Sequence, residues 1–165
     1  MRGVLPTLLL LSLAVPAFPQ SPCEAPEARQ LDFWVGEWDL TWQGGTGTNR
    51  IERALDGCGI VENFEGAMAN GNVLKGMSVS VYHPKTKAWR QTWIDNRGGY
   101  LDFTGGLDEN GTMILSHERE ENGKTIRTRM RWTDVTGDSF AWVYEMQDAE
   151  GAWVTNWTIQ YARKK

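Results

Sequence analysis

Residues 139 to 146 read SFAWVYEM, so Phe140, Trp142, Tyr144 and Met146 alternate with Ser139, Ala141, Val143 and Glu145. A period of two is the mark of a strand that turns one face to a core. The pattern recurs along the chain. Ile126, Thr128, Met130 and Trp132 alternate with Arg127, Arg129 and Arg131, and Trp153, Trp157, Ile159 and Tyr161 are expected to share one face of a last strand. Turn sequences separate such runs: Gly44 to Gly47, Asp56 to Gly59, Asn70-Gly71, His83 to Lys87, Asn96 to Gly99, Asp108 to Gly111, Glu121 to Lys124 and Asp148 to Gly151. Asn-Gly pairs supply the positive φ that tight hairpins require. The spacing predicts about ten consecutive antiparallel strands. No second helical pattern is long enough to carry crossovers between parallel strands.

Ten strands in sequence order leave two edges to hide, and closing the sheet on itself removes both. The expected fold is therefore all-β, an antiparallel up-and-down β-barrel of about ten strands. Such a barrel is wider than its own side chains fill, so it can enclose a cavity. Two packed sheets are the alternative, since they use the same alternation.

The stretch LDFWVGEWDLTW, residues 31 to 42, spaces Trp34, Trp38 and Trp42 like a helix. Pro26 to Gln30 allows a short N-terminal helix, with the proline in its first turn. Leu31, Trp34 and Val35 would share a face of it, and Gly36 would end it. Trp38, Leu40 and Trp42 then alternate as a strand. The four-residue spacing arises from a helix running into a strand.

Residues 1 to 20, MRGVLPTLLLLSLAVPAFPQ, place one arginine before an apolar run and small residues after it. This is the plan of a secretory signal peptide, with cleavage expected near Ala17 to Gln20. The run is too short to span a membrane, and the residues before Cys23 do not suit lipid attachment. Residues 21 to 165 then form a single domain, secreted or periplasmic. Removing the leader takes Arg2 from 17 basic residues, leaving 16 against 21 acidic and a net charge of −5. That argues against a nucleic acid partner, which needs a basic face. The two cysteines, Cys23 and Cys58, are expected to pair as a disulfide, as an even count in an exported chain suggests.

Gly36-Glu37-Trp38, entering a first strand after a short helix, resembles the signature of lipocalins and the wider calycin barrels. In those proteins the tryptophan closes the barrel base and an arginine of the last strand lies against it. The resemblance implies that Trp38 and Arg163 form such a plug. A closer resemblance is to the exported family named domain of unknown function 1579. It rests on Asp32-Phe33-Trp34, Gly36, Trp38-Asp39, Gly57-Cys58 with Glu62, Tyr82-His83-Pro84, Trp89, Gln91 and Trp93. These cover residues 23 to about 105 and imply a lipocalin-like barrel. They carry no catalytic residues over.

The aromatic residues lead the candidate chemistry. Trp42, Trp93, Trp132, Trp142, Tyr144 and Trp157, with Met130 and His117, are expected to line a cavity for a small hydrophobic molecule. Aromatics that only fill a core are the plainer account. A membrane belt is disfavoured by the short connections at both ends, so the barrel is not expected to be membrane-embedded. His117, in phase with Met113 and Leu115, would point inward, where an imidazole serves as a haem ligand or general base. Arg127, Arg129 and Arg131 would face water, paired with acids such as Glu118 and Glu120. Asp95, Tyr100, Asp102 and His117 are titratable, but nothing in their spacing joins any two of them. Asp108 to Gly111 resembles part of a calcium loop without the later ligands. No cofactor and no metal site are expected. Two convergent titratable groups at the cavity floor would favour an isomerase or hydrolase, and a lumen filled by its own tryptophans would favour a structural or partner-binding module.

Overall fold

The computed structural model describes residues 21–165. The expected signal peptide, residues 1 to 20, lies outside the described residues. Ten antiparallel strands form a closed barrel: β1 (Gly36–Trp42), β2 (Gly45–Ala54), β3 (Gly59–Met68), β4 (Val73–His83), β5 (Ala88–Asp95), β6 (Tyr100–Leu107), β7 (Met113–Glu121), β8 (Lys124–Thr133), β9 (Ser139–Gln147) and β10 (Trp153–Arg163). Each strand pairs with its sequence neighbours, and β1 pairs with β10 through Trp38↔Arg163 and Leu40↔Tyr161 to close the sheet. The up-and-down barrel is thus the architecture, rather than two packed sheets. The first turn is shorter than expected. Gly45 to Gly47 belong to β2, and Gln43-Gly44 alone form the bend.

The segment before β1 is not the α-helix that its sequence suggests. It is a series of 3-10 turns at Pro22–Glu24, Pro26–Arg29 and Asp32–Trp34. Prolines at positions 22 and 26, and the glycine at 36, leave no run long enough for α-helical turns to accumulate. The segment caps the end of the barrel where β1 begins and β10 ends. Leu31 and Trp34 are fully buried in it.

Several ties hold this cap. Cys23 and Cys58 form a disulfide, with Cα atoms 4.7 Å apart, joining the cap to the turn before β3. Arg53 forms an ion pair with Asp32, and its Nη1 donates to the Gly57 carbonyl at 2.8 Å. Trp89 Nε1 donates to Gln30 Oε1 at 3.2 Å. Arg163 Nη1 donates to the Val35 carbonyl at 3.1 Å, and its guanidinium carbon lies 4.1 Å from the Trp38 ring centroid. Gly36 takes φ +143° beneath this guanidinium, and any Cβ there would collide with Arg163 Nη1.

Inward side chains make the core, and outward ones carry the arginine stripe. Arg127 pairs with Glu118 at 2.6 Å. Arg129 and Arg131 both pair with Glu145 of β9, at 2.5 and 2.9 Å. One expected inward residue lies outside. Pairing between β10 and β9 runs Thr155↔Glu145 and then Trp157↔Tyr144, so Asn156 is an inserted bulge residue. A bulge reverses the side-chain phase beyond it. Trp153 therefore sits on the outer face, where Arg129 stacks on its ring at 4.2 Å. Trp157, Ile159 and Tyr161 remain inside.

Candidate functional site

The barrel holds a cavity of about 260 Å³. Of the residues proposed for its wall, Trp93, Met130, Trp132, Trp142, Tyr144 and Trp157 line it. Their rings brace one another. Trp142 meets Trp157 edge to face at 5.7 Å and stacks on Tyr144 at 5.9 Å. Trp34, from the cap, reaches the same wall and packs edge to face on Trp132 at 5.6 Å. Edge-to-face pairs of this kind hold rings in place beyond the effect of burial alone.

Trp42 and His117 do not line the cavity. Trp42 ends β1, packs against Phe64 and Trp157, and borders a polar depression with Gln43 and Asn156. His117 fills a seam. The β6–β7 ladder runs only from Leu107↔Met113 to Thr104↔Ser116. Beyond it, His117 Nδ1 lies 2.7 Å from the Asp102 carbonyl and takes the place of a ladder bond. A carbonyl only accepts, so Nδ1 carries the proton. Of the other titratable candidates, Tyr100 is exposed and Asp102 lies outside the lumen, whereas Asp95 lies in the cavity wall. Asp102 and His117 meet, with Nδ1 3.5 Å from Asp102 Oδ1, but Asp95 and Tyr100 do not join them.

Trp93 has its place because of a glycine. Its ring lies over Gly76 of β4, and a Cβ at Gly76 would fall inside the indole.

A polar cluster on β2 to β5 and β10 was not foreseen from the sequence. Asn49 Nδ2 donates to Glu62 Oε1 at 2.6 Å and to the Tyr161 hydroxyl at 3.1 Å. Ser78 Oγ donates to Glu62 Oε2 at 2.6 Å. Gln91 Nε2 donates to Ser80 Oγ at 3.0 Å. Glu62, Tyr161 and Gln91 all lie on the cavity wall. Burial pushes the Glu62 carboxyl above the usual carboxylate range, against the opposing pull of the Ser78 and Asn49 hydrogen bonds. Burial and the neighbouring Glu62 push the Tyr161 hydroxyl up as well.

Asp95 behaves in the opposite way. Desolvation would raise it, but N–H groups of Gly99, Arg97 and Trp93 outweigh that and hold it below the usual range. Among the described residues the wall carries no lysine, arginine or histidine. The indole N–H groups of Trp34 and Trp132 are buried and have no partner among the described residues.

The sequence held one sign of this cluster. Glu62 stands in phase with Ile60 and Phe64, an acid on an apolar strand face. Its donors lie 13 and 16 positions away and meet it only through the strand register. Among the described residues no group of three or more metal-binding side chains converges, and no helix is long and apolar enough to cross a membrane.

A family model described as "Protein of unknown function (DUF1579)" matches residues 24–163. No curated protein matches the chain. Solved structures similar to it include two barrels. One, EF1p2_mFAP2b bound to DFHBI, is 12% identical with a TM-score of 0.46 and covers 84% of this chain and 99% of its own. The other, a de novo designed fluorescence-activating β-barrel, is 12% identical with a TM-score of 0.45 and covers 81% of this chain and 95% of its own.

Proposed function

The chain belongs to the DUF1579 family, which its model matches over residues 24–163, and we propose that it binds a small, mainly apolar molecule inside the barrel. The observation that carries this reading is the cavity of about 260 Å³ with its predominantly aromatic wall. The volume corresponds to roughly nine waters at about 30 Å³ each. That suits one or two rings or a short acyl chain. It also argues against a lumen filled by its own tryptophans. A preformed concave site with few polar groups is the usual form of a small-molecule site. The setting we propose is outside the cytoplasm, after loss of residues 1 to 20. The Cys23–Cys58 disulfide supports an oxidising compartment.

Native mass spectrometry of the exported protein tests the reading. The expected result is a mass increment that is released on denaturation. Tryptophan fluorescence should respond to at least one member of a panel of fatty acids, retinoids, tetrapyrroles and simple aromatics. No increment and no response across the panel would overturn the reading.

A second reading, an enzyme of the isomerase or hydrolase type, draws on one observation. Glu62 and Tyr161 are titratable and meet at a single amide, Asn49 Nδ2. A carboxyl raised by burial is the kind of group that serves as a general acid or base. Chemical conversion of a bound molecule by the wild type, and not by Glu62→Gln, would support it. An unchanged ligand after long incubation would count against it.

A further inference from the structure

We propose that the molecule held in the cavity is a small amphiphilic organic cation, an amine or quaternary ammonium with an aromatic or aliphatic body. This deepens the binding reading above and rests on it. Three features of the wall point the same way. First, its ionisable acids are Glu62 and Asp95, and among the described residues it holds no cationic side chain. A carboxylate-bearing ligand would bring a negative charge beside Glu62 with nothing to neutralise it, which low-dielectric surroundings penalise heavily. Second, Glu62 takes part in no ion pair among the described residues, although its two oxygens are held in place by Asn49 and Ser78. Donors on both oxygens favour the carboxylate form, and no described residue supplies the counter-charge that would complete such a group. Third, Trp34, Trp93, Trp132, Trp142 and Trp157 share this wall with Tyr144. Indole faces attract cations, and most strongly where water is excluded.

A neutral apolar molecule would use the rings and leave Glu62 unpaired. A cation uses both, and its charge favours the Glu62 carboxylate. The same arrangement disfavours anions, so the site sorts ligands by the sign of their charge as well as by size.

The test uses three probes of similar size on the purified protein: phenyltrimethylammonium, its uncharged isostere tert-butylbenzene, and benzoate. Binding is read by calorimetry and by tryptophan fluorescence. The expected result is that phenyltrimethylammonium binds about tenfold or more tighter than tert-butylbenzene, with benzoate weakest. Glu62→Gln, which keeps the shape, should erase most of the preference for the cation. Equal affinities for cation and isostere in the wild type, or preference for benzoate, would overturn this inference and leave the binding reading standing. Failure of all three to bind would count against both. The isostere comparison needs no variant, so it decides the matter even if Glu62→Gln folds poorly.

Discussion

Arg163 covers Trp38, with its guanidinium carbon 4.1 Å from the centre of the ring, and this contact links the last strand to the cavity. Trp38 Nε1 donates to the Trp34 carbonyl at 2.8 Å, and Trp34 is part of the cavity wall. Arg163→Ala removes the cation–π contact and the donors to Val35 and Phe33. It should lower the unfolding free energy by about 2 kcal/mol in urea titration. Arg163→Lys should recover less than half of that, because an ammonium lacks the planar fork that reaches ring and carbonyls together. Full recovery by lysine would show that charge alone matters here.

The disulfide spans 35 positions. The chain-entropy account gives about 4 kcal/mol for a loop of that size. Cys23→Ser with Cys58→Ser should lower stability by an amount of that order. Titration of the denatured protein should find no free thiol before reduction and two after it. Two thiols before reduction would remove the covalent tie on the cap.

Glu62 and Glu145 should shape stability in opposite directions with pH. Burial raises Glu62, so the native state holds a proton that the unfolded chain has released. The stability this contributes is complete below the ordinary carboxylate value and is lost as pH rises through the raised one. Desolvation acts on Glu145 too, but hydrogen bonds and charge from Arg131 and Arg129 outweigh it and hold that carboxyl low. Its contribution is present above the ordinary value and lost as pH falls through the lowered one. Urea midpoints of Glu62→Gln should therefore gain on wild type as pH rises from the ordinary carboxylate value through the raised one. Glu145→Gln should flatten the acid limb. Parallel pH profiles for Glu62→Gln and wild type would show that Glu62 does not titrate in this window.

The bulge at Asn156 sets Trp153 of β10 apart from a core tryptophan such as Trp132 of β8. Trp153 is outside on Arg129, and Trp153→Ala should cost about 1 kcal/mol. Trp132 is 2% exposed, and Trp132→Ala should cost about 3–5 kcal/mol. Equal losses in thermal or urea unfolding would place Trp153 in the core after all.

Much of the barrel was legible in the sequence because its code is local. Alternation such as Phe140, Trp142 and Tyr144, cut by Asn-Gly and Asp-Gly turns, marks strands one at a time, and strands in series with no crossover must close or stack. What escaped was either non-local or hidden among polar residues. The inserted residue lies between Thr155 and Trp157, where the run Thr155-Asn156 has no apolar phase to reveal a slip. Glu62, Asn49, Ser78 and Tyr161 come from four strands, and only the register brings them together. His117 followed the inward phase correctly, yet the end of the β6–β7 ladder gave it a carbonyl to bond rather than a lumen to face. The cap read as a helix because Trp34 and Trp38 are four apart, while the prolines and glycine around them allow only short turns.

Gly76 gives the chamber a dimension that none of its visible furniture controls. Trp93 leans into the gap left by the side chain that this glycine lacks. One methyl group added there would collide with the Trp93 ring, so the indole has to shift. Gly76→Ala would thus shrink the room available to a guest without altering a single atom that the guest touches. The internal size of this protein can be tuned from the far side of its own wall.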